Sequence, residues 1–353
     1  MSRLPVAVVG ATGAIGQRFI SLLQDHPMFE LAVLTASERK VGGRLSDFWR
    51  LEGALDPDVG GRELQSLDVK LLERAGVSAA FSGLPADLAR DFETDAARAG
   101  IRVFSNASSH RMEADVPLLV PEANAEHIVL VERQPTFERG GFIVTNPNCS
   151  VTGLVLALKP LVDAFDFDRV HVATYQALSG AGYPGVPSLD IEGNVLPFID
   201  QEEEKMRREA KKLLGRWSGG IVPSEIEVWA NCARVPVRDG HLEAVSIPLP
   251  EDTDPDEVAS ILSSFRGEAQ RLGLPTAPER PVLVRPEANR PQPILDRMAG
   301  EPERARGMAA TVGRIRVTDR VLRFFLLSHN TIRGGAGGSV LNAELAHRRG
   351  YLG

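Results

Sequence analysis

The chain has 353 residues, 43% hydrophobic and 25% charged, with a formal net charge of −7. That length exceeds one ordinary hydrophobic core and predicts two domains, or one domain carrying a large insertion. The composition excludes disordered and fibrous classes, and an acidic balance without a basic block argues against a nucleic-acid or anionic-membrane partner.

Over the first 148 residues short β-rich runs alternate with helical patterns, which predicts a parallel sheet flanked by helices. Leu4 to Val9 reads as a strand, and Ile15, Phe19, Leu22 and Leu23 keep helical spacing until Pro27. Further strands are expected at Leu31 to Ala36, Val77 to Ser82, Ile101 to Ser105 and Phe142 to Thr145. A helix is expected at Ala86 to Arg98, closed by Gly100. Beyond the turn Asn146-Pro147-Asn148 the texture changes. An apolar helix from Ser150 to Phe165 precedes a strand at Val170 to Gln176, a glycine-rich loop from Ser179 to Gly185 and a charged helix from about Gln201 to Leu214. Strands at Glu227 to Val237 and His241 to Pro248 suggest a second sheet with antiparallel pairs, and Asp256 to Arg271 a helix. Pro275 to Pro293 reads as an extended crossover or partner-contacting loop. A strand at Val321 to Ser328, a second glycine-rich loop and a helix from Ser339 to Arg349, stopped by Gly350, close the chain. This order fits a nucleotide domain over 1–148, resumed at 330–353, and interrupted by a catalytic domain over 149–329.

Cys149 and Cys232 are too few for a disulfide framework, so reduced thiols in a cytoplasmic protein are expected. Seven scattered histidines, without His-Glu-x-x-His or Cys-x-x-Cys, offer no metal site. The longest apolar runs, such as Val151 to Leu158, stop far short of a membrane span.

Gly10-Ala-Thr12-Gly13-Ala14-Ile15-Gly16 follows the first strand and opens a helix, a G-x-x-G-x-x-G variant of the dinucleotide fingerprint. Glycines let the backbone approach a pyrophosphate, and the helix N-terminus offers unpaired N–H donors to hold it. An NAD site expects an acid about 20 residues further on, at the ribose. Here Ser37, Glu38, Arg39 and Lys40 surround one acid with a hydroxyl and two cations, which suits the 2′-phosphate of NADP.

Thr145-Asn-Pro-Asn148-Cys149-Ser150 places a cysteine at the start of an apolar helix. A thiol of pKa about 8.5 is only about 3% thiolate at neutral pH. A helix N-terminus favours the anion, and its N–H groups suit a developing oxyanion. Cys232, inside an expected strand, reads as structural.

Asn146-Pro-Asn-Cys149-Ser, Gln176-Ala-Leu-Ser-Gly-Ala-Gly182-Tyr-Pro-Gly, Arg234-Val-Pro-Val-x-x-Gly-His241 and Gly337-Gly-Ser-Val-Leu-Asn342-Ala-Glu resemble the aspartate-semialdehyde dehydrogenase family. The N-terminal Gly-Ala-Thr-Gly-x-x-Gly-Gln-Arg-Phe matches it too, and the likeness is greatest to the archaeal and fungal branch. It implies an α/β protein: a Rossmann-type NADP-binding domain plus an α+β catalytic and dimerisation domain of the glyceraldehyde-3-phosphate dehydrogenase-like kind. Cys149 would then be the nucleophile, Gln176 the residue orienting the thiol or acyl group, and His241 the acid/base group. Arg234 would clamp the substrate carboxylate, Glu202 would meet its amino group, and Lys205 and Arg111 would meet phosphate, with Asn148 beside them. Gly10, Thr12, Gly13, Ala14, Ile15, Ser37, Arg39, Lys40, Ser179, Gly180 and Asn342 would line the cofactor. Near Gly43, where the family often has two basic residues, only Arg44 is basic, and Ala233 stands where that branch commonly has Asn.

The activity so implied is NADPH-dependent reductive dephosphorylation of 4-aspartyl phosphate to aspartate 4-semialdehyde, toward lysine, methionine and threonine. The usual assembly would be a homodimer or homotetramer. Two alternatives remain open: a malonyl-CoA or related acyl-CoA reductase on the same scaffold, and a non-catalytic NADP-sensing protein. A geometric question also stands. Arg234 and His241 are an odd number of positions apart, so on one alternating strand they would face opposite ways unless a turn at Asp239-Gly240 resets the register.

Overall fold

Runs of Val, Ala, Leu and Phe buried on both sides give this protein its first sheet. In the computed structural model, which describes residues 3–353, β1 (Leu4–Val9), β2 (Phe29–Thr35), β3 (Ala79–Ser82), β4 (Arg102–Ser105) and β5 (Phe142–Thr145) lie in the order β2-β1-β3-β4-β5. Every neighbouring pair is parallel. β3 and β5 are buried at every position, as expected of strands covered on both faces. Phe19, Phe29, Phe81, Phe104 and Phe142 run as a chain of ring contacts through this core.

The helix after the glycine turn spans Ala14–Leu23 and stops before Pro27 is reached. The last helix, Gly337–Arg348, packs on it and on β4. Glu344 of that helix meets His26 at 2.8 Å with both side chains buried, and His26 stacks on Phe29. Gly350, at φ 82°, ends the helix as its position in the sequence suggests.

The chain divides into two units: Met1–Leu119 with Glu126–Asn146 and Gly335–Gly353, and Val120–Ala125 with Pro147–Gly334. The second unit holds a six-stranded sheet of β6 (Arg169–Gln176), β9 (Glu227–Arg234), β10 (His241–Pro248), β11 (Val282–Arg285), β12 (Ala310–Thr318) and β13 (Val321–Ser328), in the order β11-β12-β13-β10-β6-β9. A short hairpin, β7 (Arg216–Trp217) and β8 (Ile221–Val222), stands apart. β6 and β9 pair in parallel, as do β11 and β12; the remaining ladders are antiparallel. Helix Cys149–Ala164 is buried from Ser150 to Leu158. It packs on the helices Glu202–Leu213 and Pro255–Ser264 and on β10, β12 and β13.

Three sequence expectations change here. The proline-rich stretch contains β11, an edge strand. β12 escapes pattern reading because a bulge between Gly313 and Arg316 breaks its alternation, with Arg314 at φ 56°. A Cβ on Gly313 would lie 2.4 Å from the Arg290 carbonyl oxygen, so the close approach there needs glycine. The helix expected over 256–271 is two, Pro255–Ser264 and Glu268–Arg271. Between them Gly267 presses on Glu122, whose Cα a Cβ would approach to 2.3 Å. Among the described residues no helix is long and apolar enough to cross a membrane.

Candidate active site

Asn148 caps the helix that begins at Cys149. Its side-chain Oδ1 accepts from the backbone N–H of Ser150 at 2.9 Å and of Val151 at 3.2 Å, satisfying two donors that a helix start leaves open. Its Nδ2 donates to Glu202 Oε1 at 2.9 Å, and its backbone N–H to Glu209 Oε2 at 2.6 Å. Glu202 Oε1 also accepts from Gln176 Nε2 at 2.9 Å. Glu202 and Glu209 lie two turns apart on one helix, so they share a face. Together they fix the cap, the glutamine and hence the thiol between them.

Three strands deliver the remaining groups. Gln176 and Arg234 are register partners in the parallel β6–β9 ladder. Leu242 pairs with Tyr175 across β6–β10, which sets His241 opposite Gln176. Partners across a ladder point to the same face, so Arg234, Gln176 and His241 form one buried row. The odd spacing of Arg234 and His241 is thereby resolved. They are not on neighbouring strands; β6 lies between theirs, and the chain crosses over through a turn with Gly240 at φ 100°.

His241 Nε2 lies 3.1 Å from Cys149 Sγ. Its other nitrogen, Nδ1, accepts from the Ala177 backbone N–H at 3.0 Å. Burial chiefly, then the Arg234 and His329 charges, pushes the imidazole well below its ordinary range. Arg234 donates from Nη1 to the Ala177 carbonyl at 2.8 Å, while its Nε is buried without a partner. Gly180 leans over both: a Cβ there would stand 2.7 Å from Arg234 Nη1 and 3.1 Å from His241 Cε1. Behind the thiol, a Cβ on Gly334 would come within 2.7 Å of Cys149 Cα and Cβ. At Gly334 the contact is with backbone, so a side chain is excluded there; at Gly180 one would displace Arg234. Ser179 accepts from Asn330 Nδ2 at 2.8 Å, and Lys205 is half-buried one turn beyond Glu202.

One step further along the same strand faces lies a second row, Glu243, Thr174 and Cys232. Glu243 is fully buried with neither carboxyl oxygen partnered. Burial, reinforced by Glu202, holds its pKa well above the usual carboxylate range. Burial likewise pushes the Cys232 thiol up to about 12, and its sulfur packs 3.5 Å from Met206 Sδ. Brief alkylation with iodoacetamide at about pH 8 should therefore label Cys149 and spare Cys232, since the thiolate is the reactive form. Peptide mapping by mass spectrometry checks this; comparable labelling of both would contradict it.

The first unit gathers the dinucleotide candidates. Gly10 has φ 81°, and a Cβ on Gly16 would lie 2.1 Å from the Gly10 carbonyl oxygen, so strand and helix meet only through glycine. Gly13 caps helix Ala14–Leu23 without any side-chain bond, and no acid occupies its first turn, a start suited to an anion. Thr12, Ala14 and Ile15 are half-buried beside it. Lys40 reaches back to Thr12 Oγ1 at 2.9 Å, while Ser37 and Arg39 are exposed at the end of β2. Asn342 is buried, donating to the Leu119 carbonyl at 3.5 Å, with its Oδ1 unpartnered. Arg111 donates to the Asn106 carbonyl at 2.8 Å, and Asn106 donates to Ser339 Oγ at 2.9 Å.

Several contributors were missed from sequence. Glu209 could have been found from its two-turn spacing to Glu202. The Ala177 amide and Glu243 carry no sequence signal, because a backbone donor belongs to every residue and Glu243 looks like any acid on a half-exposed strand. Arg333, in the second glycine-rich loop, makes a bidentate pair with Glu122 at 2.8 and 2.7 Å, both side chains fully buried.

Comparison with known proteins follows the same lines. The semialdehyde dehydrogenase NAD binding domain family matches residues 5–131, and the semialdehyde dehydrogenase dimerisation domain family matches residues 158–333. An aspartate-semialdehyde dehydrogenase of Methanothermobacter thermautotrophicus is 50% identical over 96% of this chain and 98% of its own. The crystal structure of aspartate semialdehyde dehydrogenase with NADP from Candida albicans superposes with a TM-score of 0.87 at 38% identity, covering 98% of this chain and 99% of that one. A malonyl CoA reductase (NADP) of Metallosphaera sedula is 38% identical over 99% of this chain and 98% of its own.

Proposed function

The chain belongs to the semialdehyde dehydrogenase family, and from that premise we propose that it reduces 4-aspartyl phosphate to aspartate 4-semialdehyde with NADPH, through a thioester on Cys149. The observation that carries the substrate reading is the buried, unpartnered Nε of Arg234 in the same row as the Cys149–His241 pair. A buried guanidinium edge with an unused donor asks for a carboxylate, and a bidentate fork meets one best. Glu202 Oε1 is engaged by Asn148 and Gln176, which leaves Oε2 for a substrate ammonium. Lys205 and Arg111 are the cations assigned to phosphate.

The residues of the first unit fit a dinucleotide. The Gly13 helix start suits the pyrophosphate, Ser37, Arg39 and Lys40 the 2′-phosphate, and the orphaned Oδ1 of Asn342 the carboxamide N–H of nicotinamide. Ser179 and Gly180 complete the cofactor contacts proposed. Bound there, NADPH supplies the hydride. The chain itself presents the thiol at a capped helix start, aims Arg234 at the carboxylate, and keeps water from the buried row. Dividing acyl reduction into thioester formation and thioester reduction lowers each barrier.

On this reading the work divides along the chain: residues 1–148 with 330–353 hold the cofactor, and 149–329 supply catalysis and self-association. Tyr175 and Trp229, 40% and 51% exposed, share the outer face of the β6–β9 ladder. Such apolar exposure suits contact with a second copy, in a cytoplasmic homodimer or homotetramer.

The Metallosphaera relative supports a second reading, reduction of malonyl-CoA. One paired assay separates them. Phosphate-dependent NADP reduction with aspartate semialdehyde is expected to proceed, while NADPH oxidation with malonyl-CoA should be at least about a hundredfold slower in kcat/KM, the worth of roughly 2.7 kcal/mol in transition-state contacts. Faster turnover of malonyl-CoA would reverse the assignment, and no activity with either would favour the NADP-sensing alternative.

A further inference from the structure

We propose that Phe48 and Gln17 are positioning residues for Lys40, and that the cradle they build around its ammonium sharpens selectivity for NADP over NAD. The inference rests on the assignment of the 2′-phosphate to this turn and deepens it, by saying what holds the cation in place.

Lys40 ends the short turn Glu38–Lys40 that follows β2, where a dinucleotide fold meets the adenosine ribose. A lysine on a surface turn ordinarily samples many rotamers, and ordering it opposes binding. Here two contacts order it beforehand. Its Nζ lies 2.9 Å from Thr12 Oγ1 and 5.1 Å from the centre of the Phe48 ring. The negative face of the ring attracts the ammonium without engaging one of its hydrogens.

One buried carboxamide fixes both walls of the cradle. Gln17, fully buried in helix Ala14–Leu23, donates from Nε2 to the Thr12 carbonyl at 3.0 Å and to the Phe48 carbonyl at 3.3 Å. Its Oε1 accepts from the Arg50 N–H at 2.7 Å. The glycine turn and the segment 45–50 are thereby held at one spacing. Gly43 makes room for the ring, since a Cβ there would stand 2.9 Å from Phe48 Cε2. Its N–H donates to the Lys40 carbonyl at 3.1 Å and closes the turn.

The Thr12 bond has only one direction. An ammonium can only donate, so Thr12 Oγ1 accepts and its own hydrogen points elsewhere. Two ammonium hydrogens and one hydroxyl hydrogen remain, together with a full positive charge. A phosphate dianion can use all of them, whereas a bare 2′-hydroxyl cannot. The pyrophosphate common to both nucleotides is assigned to the Gly13 helix start, so the cradle acts on the difference between them. Ser37 and Arg39 stand exposed on the same turn; to these Lys40 adds a cation already in place.

Isothermal titration of the full-length protein with NADP and with NAD tests this without turnover. Lys40→Ala should weaken NADP by about thirtyfold, within the range of a charge-assisted hydrogen bond, and leave NAD within about twofold. Phe48→Leu keeps the lysine and an apolar side chain but removes the ring face. NADP should then weaken about fivefold with NAD again within about twofold, and Phe48→Tyr should restore the original value. In a Lys40→Ala background Phe48→Leu should change NADP affinity by less than about twofold, because no cation is left for the ring to hold. A Phe48→Leu protein with unchanged NADP affinity, or with both nucleotides weakened alike, would overturn the proposal. Full additivity with Lys40→Ala would overturn it equally. If Phe48→Leu does not fold, Gly43→Ala gives a second reading: displacing the ring should narrow the NADP-to-NAD ratio about threefold, and an unchanged ratio counts against the cradle. Unmodified protein that binds both nucleotides equally would remove the 2′-phosphate assignment and the proposal with it, a failure distinct from that of the variants.

Discussion

Replacing Cys149 with serine should lower turnover by about ten-thousand-fold or more while leaving NADPH affinity within about twofold of the original. The loss has two sources. A hydroxyl ionises far less readily than a thiol, and a serine nucleophile depends on a base to remove its proton. His241 Nε2 stands 3.1 Å from the sulfur, a spacing set for the larger thiol, while its Nδ1 accepts from the Ala177 amide. The cofactor candidates Gly10, Lys40 and Asn342 lie in a separate unit of the chain, so binding is expected to survive. Steady-state kinetics alongside fluorescence titration with NADPH checks both halves. A variant retaining near-native turnover would remove Cys149 from the chemistry, and lost NADPH binding would show that the substitution damages more than the nucleophile.

Local signals carried the first unit well and the second less well. Strands β1, β3 and β5 declare themselves as largely apolar runs between helical patterns, because a parallel sheet is covered on both faces. The second sheet mixes parallel and antiparallel ladders, and its pairing follows from contacts far apart in sequence. No local pattern says that β6 will separate β9 from β10, yet that placement is what brings Arg234, Gln176 and His241 into one row. The candidate site was legible where chemistry requires a particular side chain in a particular local setting, as at Cys149 on a helix start or Gly10 and Gly16 around a tight turn. It was illegible where the working group is a backbone amide, as at Ala177, or an acid with no local signal, as at Glu243. Asn148 shows the difference well. The resemblance sets it among substrate contacts; the structure adds that its side chain caps the helix and binds Glu202, a role no local pattern announces.

The largest effect on stability is expected at a pair that sequence reading passed over. Glu122→Gln should destabilise the protein by about 3–5 kcal/mol, lowering the melting temperature by about 10 °C for a unit of this size. Arg333 and Glu122 are joined by two charge-assisted hydrogen bonds, and neither side chain reaches solvent. Removing the carboxylate charge strands a guanidinium in the interior, where desolvation outweighs whatever one amide oxygen returns. The position of the pair raises the stakes. Arg333 precedes Gly334, which packs on the backbone of Cys149, and Glu122 is pressed by Gly267. Strain at the pair therefore reaches the thiol, and kcat should fall in Glu122→Gln at temperatures where the protein is still folded. A double variant, Glu122→Leu with Arg333→Met, separates charge from packing. Because no ion is left stranded, it should recover at least half of the lost stability. Thermal and urea unfolding of the three proteins, read with kcat at 25 °C, decides the matter. A single variant within about 1 kcal/mol of the original would show that water or a neighbouring group already compensates Arg333, and a double variant no better than the single would place the cost in packing.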